Sequence, residues 1–147
     1  MQHIYAIETI NELTKIDPDD TGFLQVAGYH HPGDGGGGMF RWDSKNDRQP
    51  DLGMVLKAKA KHGRWIRDYS GAIDVRWFGA KGDGGDATFA LQSALTAAKG
   101  GGSVYVPSGQ YTIKQPLKVH EGTHVYGDGL YSELHYRGPS AGGCLSA

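Results

Sequence analysis

Carboxylates held in glycine-rich turns are the first residues to weigh for chemistry. Asp83 and Asp86 lie in Gly82-Asp83-Gly84-Gly85-Asp86, and Asp128 lies in Gly127-Asp128-Gly129. A calcium site needs several converging oxygen ligands. These turns do not supply them, and aspartate beside glycine is ordinary turn chemistry. Sugar cleavage needs two carboxylates flanking the bond, or a base beside a metal. After Asp86 the acids are Glu121, Asp128 and Glu133. His30 and His31 are adjacent, and His120, His124 and His135 lie in a segment of short strands. His120 and His124 are four apart but lie among short strands rather than on a helix, and no cysteine accompanies the histidines, so surface roles are expected and no metal is assigned. Gly33-Asp34-Gly35-Gly36-Gly37-Gly38 resembles a phosphate loop only superficially. It lacks the Gly-Lys-Ser/Thr ending, and a strand follows where a helix should. A tight turn with positive φ at several glycines is expected instead, with no cofactor. Cys144 is the single cysteine, which excludes an internal disulfide; it reads as a small apolar filler. Tyr105, Tyr111, Tyr126, Tyr131 and Tyr136 have the faces to stack on sugars, but the spacing favours packing along the fold.

The elements that must position these residues are short. Hydrophobic residues make up 38% of the 147, below the usual ~45–50%, and 24 glycines fill the difference. With three Trp, eight Tyr and four Phe, that glycine signals tight turns rather than disorder. Thr9 and Glu12 have capping-box spacing, which predicts a short helix carrying Ile10 and Leu13 on one face. Strands are predicted at 23–29, 39–42, 54–59 and 64–67, with Phe40 and Trp42 on one face. The strands at 39–42, 54–59 and 64–67 make a small antiparallel module with aromatics inside. Lys57, Lys59, Lys61, Arg64 and Arg67 alternate, as on one solvated face. Val75–Ala80 reads as another strand and 81–86 as a turn. Asp86 or Thr88 then caps a helix over 89–99, with Leu91, Ala94, Leu95 and Ala98 on one face and Gly100-Gly101-Gly102 at its end. Very short strands follow at 103–106, 111–113, 117–119, 123–126 and 133–136. Strands of this length suit the sides of a coil better than a sandwich.

Val75-Arg76-Trp77-Phe78-Gly79-Ala80-Lys81-Gly82-Asp83-Gly84, the amphipathic helix, Gly100-Gly101-Gly102-Ser103-Val104-Tyr105-Val106-Pro107 and Val125-Tyr126-Gly127-Asp128-Gly129 together resemble the opening of the pectate-lyase-like right-handed parallel β-helix superfamily. Upstream, Val26-Ala27-Gly28-Tyr29, Pro32 through Asp43 and Gly63-Arg64-Trp65-Ile66-Arg67 are similar to the module that precedes the β-helix in phage tailspikes. The family usually carries a pair of aspartates and a threonine before the helix; Gly85-Asp86-Ala87-Thr88 keeps one aspartate. The implied fold class is mainly β. A small antiparallel module over 1–72 is followed, over 73–147, by a capping helix and the first coils of a parallel β-helix.

The resemblance implies a homotrimer on a virion tail, made in the host cytoplasm. Its partners would be tail or baseplate proteins, and it would reach host surface polysaccharide through coils further downstream. Catalytic groups in the family lie on later coils or between subunits, so no catalytic residue is assigned. Trp42, Trp65, Trp77 and Phe78 are the candidates for core or intersubunit burial. One or two coils are fewer than the three or so that a repeat stack needs, so a truncated chain is expected. Two other functions fit the same residues: a shortened secreted polysaccharide lyase or epimerase, and a non-catalytic tail adaptor. A formal charge of −1 without a basic block excludes a nucleic-acid footprint. No run approaches the ~18 apolar residues that span a membrane, and no signal peptide is visible.

Overall fold

The computed structural model describes residues 6–18, 22–59, 62–140 and 143–147. The chain divides into two compact units, Met1–Ser70 and Gly71–Ala147.

The first unit is a five-stranded sheet with one short helix. Strand β1 (Ala6–Thr9) runs into helix α1 (Ile10–Leu13), followed by β2 (Phe23–Gly28), β3 (Gly38–Asp43), β4 (Val55–Leu56) and β5 (Arg64–Asp68), in the order β1-β2-β3-β5-β4. Strand β1 pairs parallel to β2 and the remaining pairs are antiparallel. Strand β2 alternates exposed and buried, which sends Leu24 and Val26 inward to join Ile7, Ile10, Leu13, Phe40, Leu56 and Trp65 in one core. Trp42 and Trp65 face each other across β3 and β5 with ring centroids 5.2 Å apart, edge to face. Thr9 caps α1 as expected, its hydroxyl accepting the Glu12 N–H at 3.3 Å. The Glu12 carboxylate reaches past Thr9 and accepts the Glu8 N–H at 3.0 Å, because β1 leaves that edge group unpaired.

Three expectations fail in this unit. The module is antiparallel as expected over β2-β3-β5-β4, but it has five strands rather than three, because β1 adds a parallel pair at its edge. The strand expected over 54–59 shrinks to β4, because Asp51 Oδ1 gathers the N–H groups of Gly53, Met54 and Val55 at 2.8–3.0 Å and curls the chain just before it. The basic residues do not share a solvated face: Lys57 and Lys59 are exposed, while Arg67 is buried. The call on Lys61 lies outside the described residues.

The second unit is built of parallel sheets. Strand β6 (Ile73–Asp74) is followed by β7 (Asp83–Asp86), helix α2 (Thr88–Ala97), β8 (Ser103–Val106), β9 (Gly109–Ile113), β10 (Leu117–Lys118), β11 (His124–Gly127), β12 (Ser132–Tyr136) and β13 (Leu145–Ser146). The sheets are β6-β8-β11, β7-β9-β12 and β10-β13, and every pair in them is parallel. One coil is β8, β9 and β10, and the next is β11, β12 and β13. Before them, β6 and β7 supply two sides of a rung whose third side is α2. In-register stacking sets Ile73 on Val104 on Val125, and Leu117 on Leu145, with Ile73, Val104 and Leu117 buried in the interior.

Helix α2 blocks the first coil's open edge. Its buried face is Ala90, Leu91, Ala94 and Leu95, as the apolar spacing predicts. Gln92 substitutes for a strand: its side-chain amide accepts the Lys118 N–H at 2.8 Å and donates to the Lys118 carbonyl at 3.2 Å. The Thr88 hydroxyl accepts the Lys114 N–H at 2.8 Å. Asp86 supports the helix start by accepting both the N–H and the hydroxyl of Thr88. Free strand edges invite pairing with other chains, and these contacts remove that hazard on one side.

Two local readings are corrected here. Val75–Phe78 is a 3-10 turn, not a strand. The Asp74 carboxylate accepts the Arg76 N–H at 2.9 Å at its start, and Gly79 ends it at φ 96°, a conformation that favours glycine. Asp83–Asp86 forms strand β7 instead of a turn, with an irregular register against β9.

Candidate functional site

The densest polar cluster of the second unit lies where β8 and β11 turn into β9 and β12. Strand β8 places Tyr105 directly beneath Tyr126 of β11, with ring centroids 5.3 Å apart, and His124 stacks on Tyr126 at 5.4 Å. The Tyr105 hydroxyl donates to Asp128, with both carboxylate oxygens at 2.8 Å. Asp128 also accepts the Ser108 N–H at 2.8 Å and the Ser108 hydroxyl at 2.9 Å. The Asp128 N–H donates to the Ser132 hydroxyl, which in turn donates to the Val106 carbonyl at 2.7 Å. The Tyr105 and Ser108 donors hold the Asp128 carboxyl below the usual carboxylate range and push the Tyr105 phenol up. Nearby, Asp74 and Arg76 pair with a shortest N···O distance of 2.7 Å. Tyr111 is buried, which is the main reason its phenol rises to about 12, and it donates to the Pro107 carbonyl.

This arrangement builds a corner, in which Asp128 and Ser132 tie the upper coil to Tyr105, Ser108 and Val106 of the lower one. The carboxylate of Asp128 takes three donors from its own chain, two from Ser108 and one from Tyr105. No group of three or more His, Cys, Asp or Glu that could hold a metal ion occurs among the described residues. Tyr105 and Tyr126 stack along the coil axis, as the spacing suggested. His135 meets Glu133 at 2.9 Å on the surface. Among the described residues no helix is long and apolar enough to cross a membrane.

The first unit has two polar hubs. The glycine loop after β2 is the tight turn expected, with Gly33, Gly35 and Gly38 at positive φ. Asp34 organises it, accepting the N–H groups of Tyr29, His30, His31 and Gly36 at 2.8–3.1 Å. Burial alone would raise the Asp34 carboxyl, but these four donors outweigh it and hold the group low. The second hub is Arg67, which no spacing argument predicted. Its guanidinium donates to the carbonyls of Gly53 at 2.9 Å, Gly37 at 2.5 Å and Gly36 at 3.1 Å, and lies 4.7 Å over the Phe40 ring. The approach is close enough that a Cβ on Gly38 would meet Arg67 Nη1 at 2.6 Å. A glycine run facing a lone arginine on the core side of a strand is the signal that could have revealed it.

Of the four aromatic candidates, Trp65 and Phe78 are buried while Trp42 and Trp77 are partly exposed.

Comparison with known proteins resolves the two units. The family described as "Phage tail protein small four-stranded beta-sheet domain" matches residues 6–70. The family described as "Rhamnogalacturonase A/epimerase, pectate lyase-like" matches residues 72–142. The crystal structure of tailspike protein 2 from an Escherichia coli O157:H7 bacteriophage superposes with a TM-score of 0.78 at 25% identity, covering 97% of this chain and 19% of that one. A LysM effector of Penicillium expansum is 52% identical over 60 residues, covering 40% of this chain and 5% of its own length. Alginate lyase 7 of Azotobacter vinelandii is 43% identical over 61 residues, covering 40% of this chain and 7% of its own length. The chain thus spans under a tenth of these two relatives and about a fifth of the tailspike. A segment matching a phage-tail sheet domain that runs directly into the capped opening of a pectate-lyase-like parallel β-helix makes this chain similar to the N-terminal part of a phage tailspike.

Proposed function

We propose that the chain is the particle-proximal portion of its tailspike. Residues 1–72 hold the protein to the tail or baseplate, and residues 73–147 begin the β-helix whose further coils meet host surface polysaccharide. The observation that carries this reading is the direct passage, within three residues of sequence, from a phage-tail domain to the capped first rung of a coil. The polar cluster at the β11–β12 corner ties one coil to the next, which favours a connector; sugar chemistry then belongs to later coils. The assembly is a homotrimer, in which partly exposed Trp42 and Trp77 become intersubunit contacts while Trp65 and Phe78 serve the core.

Two measurements test it. Mixed with tails or baseplates of its parent phage, the purified chain should co-sediment with them; failure to bind at micromolar concentration removes the attachment role. Sedimentation equilibrium should give about three times the 15.8 kDa chain mass; a strict monomer removes the trimer.

A further inference from the structure

Charge is unevenly spread over the first unit. Residues 43–64 hold six Lys or Arg against three Asp, whereas the remainder of 1–70 holds three Lys or Arg against seven Asp or Glu. The topology gathers the cationic stretch at one end of the sheet. Strand β3 ends at Asp43, opposite Arg64 where β5 begins, and β4 ends there too, with Leu56 opposite Trp65. Lys57 therefore leaves the sheet beside Arg64, and Lys45 follows the end of β3. The Arg64 guanidinium donates to the Arg48 carbonyl at 2.7 Å and so fastens the loop after β3 to the same rim. Lys45, Arg48, Lys57 and Lys59 are exposed, and Arg64 is half-buried.

Among the described residues no carboxylate answers these five cations. The ion pairs found there are Asp74 with Arg76 and Glu133 with His135, and both lie in the second unit. Two of the aspartates of the stretch are occupied in turns. Asp43 accepts the Lys45 N–H at 3.2 Å and the Asn46 side-chain amide at 3.3 Å. Asp51 accepts the N–H groups of Gly53, Met54 and Val55. Only Asp47 is exposed. Part of the rim is also set in place beforehand. Arg64 donates to the Gly63 carbonyl at 2.8 Å as well as to Arg48, and Arg48 Nε meets Asn46 Oδ1 at 3.4 Å. Side chains already held lose less conformational entropy when a partner covers them.

We infer that this rim is where the first unit meets an acidic protein surface on the tail or baseplate. The inference rests on the attachment reading above and gives that contact a place and a chemistry. Charge complementarity selects the partner. A surface bearing Asp and Glu supplies the counter-charges that the rim lacks, steers the approach and fixes the orientation of docking. A nucleic acid fits less well. Its backbone is bound by an array of cations that releases many counterions, and here the cations are few and Asp47 stands among them.

The test is co-sedimentation of the full chain with tails or baseplates of its parent phage over a salt series, with the variant Lys57→Glu/Lys59→Glu alongside. Both lysines are exposed, so the variant should keep its circular dichroism. Wild-type binding should weaken about tenfold or more between about 0.05 M and about 0.5 M salt, as screening shortens the reach of the charges. At the low salt the variant should bind about tenfold more weakly than wild type. Where charge reversal disturbs the circular dichroism, Lys57→Gln/Lys59→Gln is read in its place, with a smaller loss in the same direction. Tail binding that ignores salt, or that the variant matches, overturns the rim and leaves the attachment standing. Binding to random-sequence duplex DNA as tight as to tails overturns the acidic protein as the partner. A wild-type chain that binds no tail or baseplate overturns the attachment reading and the rim with it.

Discussion

Replacing Arg67 with methionine should be the most damaging single change in the first unit. The side chain is 4% exposed and donates to three carbonyls, those of Gly36, Gly37 and Gly53. Hydrogen bonds to a charged group contribute about 1.5–3 kcal/mol each. Relief of the guanidinium's own desolvation offsets part of that sum. The carbonyls of Gly36 and Gly53, both at buried residues, cannot easily turn to water instead. The net loss should be about 3–5 kcal/mol, a large share of the ~5–15 kcal/mol that holds a typical domain together. Urea unfolding followed by tryptophan fluorescence reads this directly, because Trp42 and Trp65 pack in the same core. Arg67→Lys should lose less, since an ammonium keeps the charge but cannot reproduce the planar fork. A loss below about 1 kcal/mol for Arg67→Met would refute the reasoning, because it would mean that the glycine loop needs no internal donor.

Other changes follow from the same contacts. Gln92→Leu removes both bonds to Lys118 and should destabilise the second unit by about 1–2 kcal/mol; hydrogen exchange at the Lys118 amide should accelerate, and an unchanged rate would show that the helix does not serve that edge. Gly127→Ala forces the corner apart, so its melting temperature should fall by several degrees by calorimetry. Acid should weaken both units through Asp34 and Asp128, whose folded carboxyls are held low. A depressed folded pKa stabilises above the unfolded value of about 4 and loses that stabilisation as pH falls through the folded value. Melting temperature should therefore drop between about pH 4 and pH 2, and Asp34→Asn should flatten that slope; an identical slope would remove Asp34 from the account.

Periodic features were legible in the residues, and locally decided ones were not. Leu91, Ala94, Leu95 and Ala98 spell a helix face, and the glycine run after them marks its end, so α2 was readable to within two residues. The short strands from 103 onward were readable because strands of that length suit the sides of a coil better than a sandwich face. Val75–Phe78 was misread because its composition suits a strand, while the Asp74 side chain and the left-handed Gly79 impose a turn. Arg67 was misread because its acceptors lie 14, 30 and 31 residues away, beyond any periodicity.

The substitution of a helix for the third strand of the opening rung gives the second unit a direction. Gln92 and Thr88 occupy one rim of the stack, and β11, β12 and β13 pair on their inner sides with β8, β9 and β10. A rim blocked in this way behaves like the poisoned end of a filament: rungs add only away from it, each templated by the last. That polarity makes α2 a natural nucleus for folding, and it denies stray chains the back door through which fibrils grow.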